Sequence, residues 1–416
     1  MARRYVLLWL WTTCIWCALT GAGCAGVGYE FGQRCRRELL RGMTDTETLA
    51  CKNIVAYYPA GMDKIARYSA QQFAGQLAYV HDVTGWTTVF ATLHIYVKPV
   101  DRMALFDDFG FLESRDTFGV VLHVERSNMS YEAVVAGNLF YPSSVMHEIV
   151  EWSLPQLLND YRWKTSGGGW KEEFHFTRWF RDGFAEYAGF LAYKMTVFDN
   201  SFARHKYPIG KYQQDVGRHP FSALARVGKE LFAWDQYHED PTPREHNPNV
   251  PHVGDTNYDY YQAGLGLFLV IEDRYGTEAI KEIVQRVQRL KKGDGAAVKE
   301  ICGRVLRTDI VKLVDEFHFP HTGLYMSAYW PDHYATTLPA SHPEEGLAVE
   351  LVGSDSPASR AGIGTGDVVM SVDGERTVTN LDFEQALYRR MHQKSVVLGV
   401  WRHGVGRTSV QLCLEQ

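Results

Sequence analysis

The sequence predicts an α+β protein made of a mixed sheet subdomain, a mainly helical domain and a small β-rich domain at the C-terminus. Strand-like and helix-like segments alternate from residue 54 to about 124, which predicts the sheet. Helical spacing then dominates from 144 to about 317. After residue 346, apolar strand-like runs are joined by tight turns, which indicates a compact β domain.

The elements of the first part follow in order. Residues 54–58 predict a strand, and the apolar spacing of 63–80 predicts a helix. Residues 93–97 predict a second strand that Pro99 stops, and 120–124 predict a third.

Composition excludes several classes of function. The chain has 416 residues, of which 45% are hydrophobic and 22% charged, as in globular proteins of two or three domains. The net charge is -6 and there is no long basic run, so we expect no nucleic-acid partner. No Cys-x-x-Cys pair occurs after residue 24, which argues against a thiolate zinc site or a thioredoxin-like redox motif.

Residues 1–24 have the features of an export signal. Arg3 and Arg4 precede an apolar stretch from 5 to about 19, which small residues follow. Cys24 resembles a bacterial lipoprotein cleavage site, although Gly21 stands where that pattern has leucine. The alternatives are a cleaved signal peptide, a lipidated Cys24 and an uncleaved membrane anchor. In each case we expect an exported protein, periplasmic or attached to a membrane through its N-terminus.

Domain boundaries follow from composition. A large domain is predicted for residues 25–330, and 331–345, with three prolines, is predicted to be a linker. Residues 346–416 form the predicted C-terminal domain. Within it, Pro357 starts a short helix, Asp373 and Gly374 make a hairpin turn, and two closing strands lie between 396 and 414.

The C-terminal domain resembles a known family. Residues 346–352, 356–363 and 366–374 together resemble the PDZ domains of bacterial exported proteases. PDZ domains bind an extended peptide as an added strand, so the resemblance implies peptides or protein C-termini as partners. It also implies that the loop entering Gly346, Leu347, Ala348 and Val349 offers backbone N–H groups to the C-terminal carboxylate of the peptide. The alternative is a PDZ fold that serves only as an intramolecular spacer or lid.

A candidate metal site lies on the helix predicted from 144 to about 154. His147 and Glu151 are four residues apart, so both side chains leave the same helix face. Such a pair can bind one metal ion, with Glu148 beside it as general base. The zinc-protease pattern has histidine at both ligand positions, whereas this chain has Glu151 at the second.

Two downstream segments extend the candidate site. Residues 179–187, Trp-Phe-Arg-Asp-Gly-Phe-Ala-Glu-Tyr, resemble the third-ligand motif of gluzincin peptidases, with Asp182 in place of the ligand glutamate. Tyr261 lies three residues before Gly264, the spacing of the tyrosine that stabilises the tetrahedral intermediate in that family. A gluzincin followed by a PDZ domain resembles the glycyl aminopeptidase family in particular.

The resemblance implies a zinc-dependent peptide hydrolase with an altered ligand set. His147, Glu151 and Asp182 would bind zinc, Glu148 would take a proton from water, and Tyr261 would stabilise the oxyanion. One histidine with two carboxylates is a harder ligand set than zinc prefers. The alternative is a non-catalytic pseudopeptidase that acts through its PDZ domain, with Asp182 as a helix N-cap.

Overall fold

The computed structural model of the protein describes residues 33–34, 36–41, 43, 45–100, 110–114, 116–125, 141–157, 178–199, 219–234, 256–290, 295–328, 343 and 346–414. The chain forms two compact units. The first comprises 1–177, 188–196 and 281–301, and the second comprises 178–187, 197–280 and 302–416. The predicted signal segment lies outside the described residues, as does the predicted linker apart from Pro343. No described helix combines the length and apolar content needed to cross a membrane.

The first unit contains a five-stranded mixed sheet, which confirms the predicted α+β class. Its strands are β1 (Thr46–Cys51), β2 (Ile54–Pro59), β3 (Thr92–Val100), β4 (Gly110–Ser114) and β5 (Thr117–Glu125). The strand order is β1-β2-β3-β5-β4. Strands β2, β3 and β5 run parallel, while the two outer strands are antiparallel to their neighbours.

Helix α1 (Asp63–Thr84) covers one face of this sheet. Its apolar residues at helical spacing, among them Ile65, Phe73 and Val80, are buried, which is why the helical pattern was readable. Gly85 ends the helix in the left-handed conformation, with φ of 68°, and its amide donates to the carbonyl of His81 at 2.7 Å.

Strand β3 does not stop at Pro99, contrary to prediction. It continues to Val100, and Pro99 pairs in register with Val124 of β5. Strand β2, on the other side, pairs only with residues 93–96. A residue without an N–H is tolerated where a strand has an unpaired side, so proline does not end β3.

Strand β4 was not predicted, and it carries a buried acid. Glu113 lies at a bulge, where the register with β5 shifts between Leu112 and Ser114. Its carboxylate accepts a hydrogen bond from the Tyr96 hydroxyl at 2.6 Å and lies 2.8 Å from Nδ1 of His94. Both partners lie on β3, beyond β5. The bulge therefore directs the side chain across the sheet.

Helices follow, as predicted. They are α2 (Tyr141–Leu157), α3 (Arg178–Asp199), α4 (Pro220–Val227), α5 (Thr256–Tyr275), α6 (Thr277–Gln288), α7 (Gly295–Leu306) and α8 (Ile310–Asp315), with a 3-10 turn at Gly228–Ala233. In the second unit, rings of α3 pack on Phe268 of α5. Phe180, Phe184 and Tyr187 lie with their centroids 5.6–5.7 Å from its ring. These aromatic contacts make a dry core between the two helices.

A second sheet belongs to the second unit. Its elements are β6 (Leu324–Ala328), β7 (Leu347–Val352), α9 (Pro357–Arg360), β8 (Val368–Val372), β9 (Glu375–Arg376), α10 (Asn380–Tyr388), β10 (Ser395–Arg402) and β11 (Gly406–Cys413). The strand order is β11-β10-β8-β7-β6, and β9 pairs with β8. Strand β6 lies before the predicted start of the domain at residue 346, so the sheet is larger than predicted.

Local chemistry explains the turns and caps of this sheet. Asp373 and Gly374 both have positive φ, 47° and 80°, which makes the predicted tight turn between β8 and β9. The Ser356 hydroxyl accepts from the Ser359 amide at 3.2 Å and caps α9. Helix α10 begins with a capping box between Thr379 and its third residue.

Candidate functional site

Helix α2, in the first unit, brings three of the predicted site residues together. His147, Glu148 and Glu151 each offer one ligand atom, and these atoms lie within 4.8 Å of one another. Nε2 of His147 is 3.5 Å from Oε2 of Glu151, and the two side chains are 12% and 21% exposed. One imidazole and two carboxylates are thus collected on a partly exposed helix surface.

Glu148 is oriented by the next turn of the same helix. The indole Nε1 of Trp152 donates to its Oε2 at 3.0 Å. The Trp152 ring in turn lies 6.5 Å from the ring of Phe118 on β5. Packing against the sheet therefore positions the indole, and the indole positions the carboxylate. This is the kind of support that a general base requires.

The α2 cluster fits a divalent cation by its donor chemistry. Imidazole nitrogen and carboxylate oxygen are both ligands of zinc, and two carboxylates also suit harder ions. Glu148 and Glu151 bring two carboxylates close to each other, an arrangement that a bound cation would stabilise. His147 and Glu151 would hold the ion, as their spacing on the helix predicts.

Asp182 lies in the second unit and is surrounded by cations of its own helix. Its Oδ2 accepts from Nε of Arg178 and its Oδ1 from Nε of Arg181, both at 2.7 Å. The Asp182 side chain is fully buried, and the two arginine side chains are 7% and 5% exposed. A role as metal ligand would require one of these ion pairs to open. The assignment of Asp182 as a metal ligand stays a prediction.

The alternative role of Asp182 as an N-cap is not supported. Helix α3 begins at Arg178, so Asp182 is its fifth residue and lies inside the helix. Arg178 and Arg181 were not singled out from the sequence. The sequence feature that could have revealed this pair is the spacing of Arg178 and Asp182. They are four residues apart, as in a helical ion pair.

Tyr261 on α5 belongs to the same buried group as Asp182. Nη2 of Arg178 donates to the Tyr261 hydroxyl at 3.0 Å, and the Arg178 guanidinium lies 4.6 Å from the centroid of the Trp234 ring. Burial lowers the pKa of Arg178, but Asp182 and Tyr261 raise it by more, so its pKa lies above the ordinary value. Arg178 thus joins two predicted site residues as a permanent cation.

A close helix crossing explains how Tyr261 reaches this position. Gly183 of α3 faces Gly264 of α5, and a Cβ added to Gly264 would lie 2.6 Å from Cα of Gly183. Only glycine at both positions allows this approach. Gly183 is the residue after Asp182, and Gly264 is three residues after Tyr261. The crossing therefore brings α3 and α5 together next to both side chains.

The predicted peptide-binding strand is an inner strand of the second sheet. Leu347 and Ala348 pair with β6 on one side and with β8 on the other. The Val349 amide donates to the Asp367 carbonyl at 2.8 Å. Gly346 lies close to β8, because a Cβ there would be 2.7 Å from Cγ1 of Val368. The structure therefore corrects the prediction that Gly346–Val349 offer N–H groups to a peptide carboxylate, because Leu347 and Ala348 belong to a strand paired on both sides and the Val349 amide is already bonded.

The end of the second sheet is β6, which sequence reasoning missed. Within the part of the chain that the structure describes, its five residues pair with β7 through one edge and with no strand on the other. Helix α10 borders this strand, and Nδ2 of Asn380 donates to the carbonyl of Met326 at 3.1 Å. A strand edge beside a helix is the geometry in which a peptide can be added. The missed indication was the strand-like Leu-Tyr-Met sequence after Gly323.

Comparison with known proteins first defines the class of the C-terminal domain. A family model described as PDZ domain matches residues 332–410, and the C-terminal region is a PDZ domain. The HtrA3 PDZ domain bound to a phage-derived ligand (FGRWV) is 23% identical, covering 23% of this chain and 86% of that one, with a TM-score of 0.20.

Two further solved structures are similar over larger parts of the chain. The HtrA-type protease AlgW with a decapeptide is 17% identical over 30% of this chain, with a TM-score of 0.22, and the chain spans 36% of that protease. An aminopeptidase N family protein from Idiomarina loihiensis is 14% identical to this chain, with a TM-score of 0.35. The match covers 89% of this chain and 66% of the chain of that protein. No curated protein sequence matches the chain.

Proposed function

We propose that the chain is an exported, metallopeptidase-like protein whose α2 cluster binds a divalent cation and whose PDZ domain binds peptide termini. The observation that carries the first part is the convergence of His147, Glu148 and Glu151 within 4.8 Å on one helix surface. One imidazole nitrogen and two carboxylates are donors that a divalent cation accepts, so their convergence supports a metal site.

The proposed reaction is hydrolysis of peptide bonds, with zinc as the first cation to test. His147 and Glu151 would hold the ion, which when bound acidifies water and polarises a carbonyl. Glu148, fixed by Trp152 at 3.0 Å, would accept the proton of the attacking water and pass it to the leaving amine.

A second candidate is a peptide-binding protein without turnover. The observation that favours it is the pairing of Asp182 with Arg178 and Arg181. A carboxylate already neutralised by two guanidinium groups gains less from a metal ion than an unpaired one does. In this candidate the α2 cluster binds a cation at most structurally, and the PDZ domain performs the function.

Cation binding and hydrolysis separate the two candidates. Zinc added to the metal-stripped protein should bind in calorimetry and raise the melting temperature. His147→Ala should abolish both effects, whereas Glu148→Gln should keep zinc and lose any hydrolysis of a mixed peptide library. Glu282→Gln, which removes an exposed acid paired with Arg286, is the matched control. Zinc binding without hydrolysis supports the second candidate, and no binding at saturating zinc refutes the first.

Export is part of the proposal and rests on residues 1–24. A reporter enzyme that is active only in the periplasm, fused after Gln416, should be active in a bacterial host. Replacing Arg3 and Arg4 with glutamate should reduce that activity, because the positive start directs export. The proposal would be contradicted if the periplasmic reporter were inactive and a reporter that works only in the cytoplasm were active at the same position.

For the PDZ domain, we propose that the peptide is added to the open edge of β6, beside α10. Apolar residues of β6, Leu324 and Met326, pack against the domain core, which leaves its backbone edge as the recognition surface. The first probe is the pentapeptide Phe-Gly-Arg-Trp-Val, the ligand of the HtrA3 PDZ domain, with a free C-terminus and a fluorescent label.

A further inference from the structure

Helix α4 begins without a cap from its own sequence. Its N-cap residue, His219, makes no side-chain capping bond, and Pro220 is the first helical residue. The cap comes from Glu384 of the PDZ helix α10. Its Oε2 accepts from the amides of Phe221 at 2.8 Å and Ser222 at 3.3 Å, and its Oε1 accepts from the Ser222 hydroxyl at 2.5 Å. A carboxylate at a helix N-terminus is a favourable pairing.

The same carboxylate is buried and also faces an imidazole. The Glu384 side chain is 3% exposed, and Nδ1 of His219 lies 3.3 Å from its Oε1. An acid is buried in this way only when its oxygens are hydrogen-bonded. The first residues of α4 supply those bonds, so α10 and the start of α4 are held together by a specific contact.

An aromatic stack completes this contact. The Phe221 ring lies parallel to the Tyr388 ring, with centroids 4.5 Å apart and planes inclined by 7°, and its centroid is 5.9 Å from that of Phe319. The Tyr388 hydroxyl donates to Oδ2 of Asp273 at 3.1 Å. Burial raises the pKa of Tyr388 above its ordinary value. Phe221 thus fills an apolar position between two rings.

The face of α10 that makes these contacts also borders β6. Asn380, Glu384 and Tyr388 follow each other at intervals of four, which places them along one side of the helix. Asn380 at the start of this row donates to the backbone of Met326 in β6 at 3.1 Å. Of this row, Asn380 reaches β6, so Glu384 and Tyr388 continue the side of α10 that faces the strand to which a peptide would be added.

We propose that residues 219–222, at the start of α4, are an internal occupant of the PDZ groove, and that a peptide enters only after this segment leaves α10. This inference rests on the proposed peptide binding at β6. The displacing peptide would place an apolar side chain where Phe221 lies, and its backbone would pair with β6. Residues 219–222 then block the groove of their own PDZ domain. The apparent affinity for peptides is lowered in proportion to the fraction of molecules in which these residues occupy the groove.

The experiment uses the full chain and two readouts. Hydrogen exchange of the amides of Phe221 and Ser222 reports the contact, and fluorescence anisotropy with the labelled Phe-Gly-Arg-Trp-Val peptide reports the groove. Glu384→Gln keeps the shape of the side chain but removes its charge, and charged hydrogen bonds are roughly twice as strong as neutral ones. We expect both amides to exchange about tenfold faster and the peptide to bind about tenfold tighter, a change of about 1.4 kcal/mol.

Glu375→Gln is the matched control, because it removes a partly exposed acid that pairs with Arg390 near the other end of α10 at 2.9 Å. It should change neither readout. Unchanged exchange at 221 and 222 in Glu384→Gln would overturn the internal contact. Faster exchange with equal peptide affinity in both proteins would overturn the gating. Faster exchange with no peptide binding in either protein would overturn the proposed peptide function while the internal occupant remains.

Discussion

The α2 cluster and the Asp182 group contain predicted residues of one site, but their electrostatics differ. On α2, two carboxylates and an imidazole lie within 4.8 Å of one another and are partly exposed. In the second unit, one buried carboxylate lies between two guanidinium groups, and a tyrosine hydroxyl accepts from one of them. The first group collects negative charge, whereas the second already contains its own cations.

This difference separates residues arranged for stability from residues arranged for a ligand. A buried acid with three hydrogen bonds from arginines stabilises the fold as long as all partners are present. Partly exposed ion pairs, such as that of His147 with Glu151, contribute little to stability. We therefore assign a structural role to the Arg178–Asp182–Arg181 group in this conformation, whereas the α2 cluster is the proposed cation site.

The largest expected effect is that of Asp182→Asn. The substitution leaves two buried arginines without their counter-ion, which costs roughly 3–5 kcal/mol of unfolding free energy. Asp259→Asn is the matched control, because Asp259 also pairs with an arginine, Arg226 at 2.6 Å, which is 52% exposed. It should cost about 0–1 kcal/mol. Urea denaturation of both variants measures the difference, and equal costs would contradict a structural role for Asp182.

Gly264→Ala should have the next largest effect, about 1–3 kcal/mol of lost stability. Its Cβ would meet backbone atoms of Gly183 that cannot move independently of α3. Gly75→Ala on α1 is the control, since its Cβ would meet only the flexible end of Met195 at 3.0 Å and alanine favours the helix. If Gly264→Ala is as well tolerated as Gly75→Ala, then the crossing does not set the position of Tyr261.

The smallest effect is expected for Glu151→Gln in the α2 cluster. Without added metal, unfolding free energy should change by no more than about 0.5 kcal/mol in either direction, because a partly exposed acid beside another acid adds little stability. Zinc should stabilise the wild-type protein and not this variant. Stability loss on the scale of Asp182→Asn would erase the contrast between the two groups.

Local chemistry was readable from the sequence. The apolar spacing of α1, the strand-like runs of β2 and β5 and the Asp373-Gly374 turn are each determined by a few neighbouring residues, and all are present. The His147 and Glu151 proximity follows from helix geometry alone. Such features depend on contacts within one or two turns of the chain.

Features that depend on distant parts of the chain were not readable. Strand β6 is recognisable as part of the PDZ sheet only through its pairing with β7, some twenty residues later. The cap of α4 by Glu384 joins residues 163 apart. Arg178 reaches Tyr261 across 83 residues. The prediction for Gly346–Val349 failed for the same reason. Whether a segment is free to bind a peptide depends on the strands that pair with it, and these lie elsewhere in the chain.

The bulge at Glu113 interrupts the outer strand of the first sheet. Strand β4 ends the first sheet, and the exposed edge of a sheet is a site at which two molecules can join and aggregate. Here the edge strand is five residues long, its register is interrupted, and its acid points inward to His94 and Tyr96. A second chain that approached this edge would meet an irregular backbone, so we expect the bulge that carries Glu113 to disfavour strand pairing between molecules.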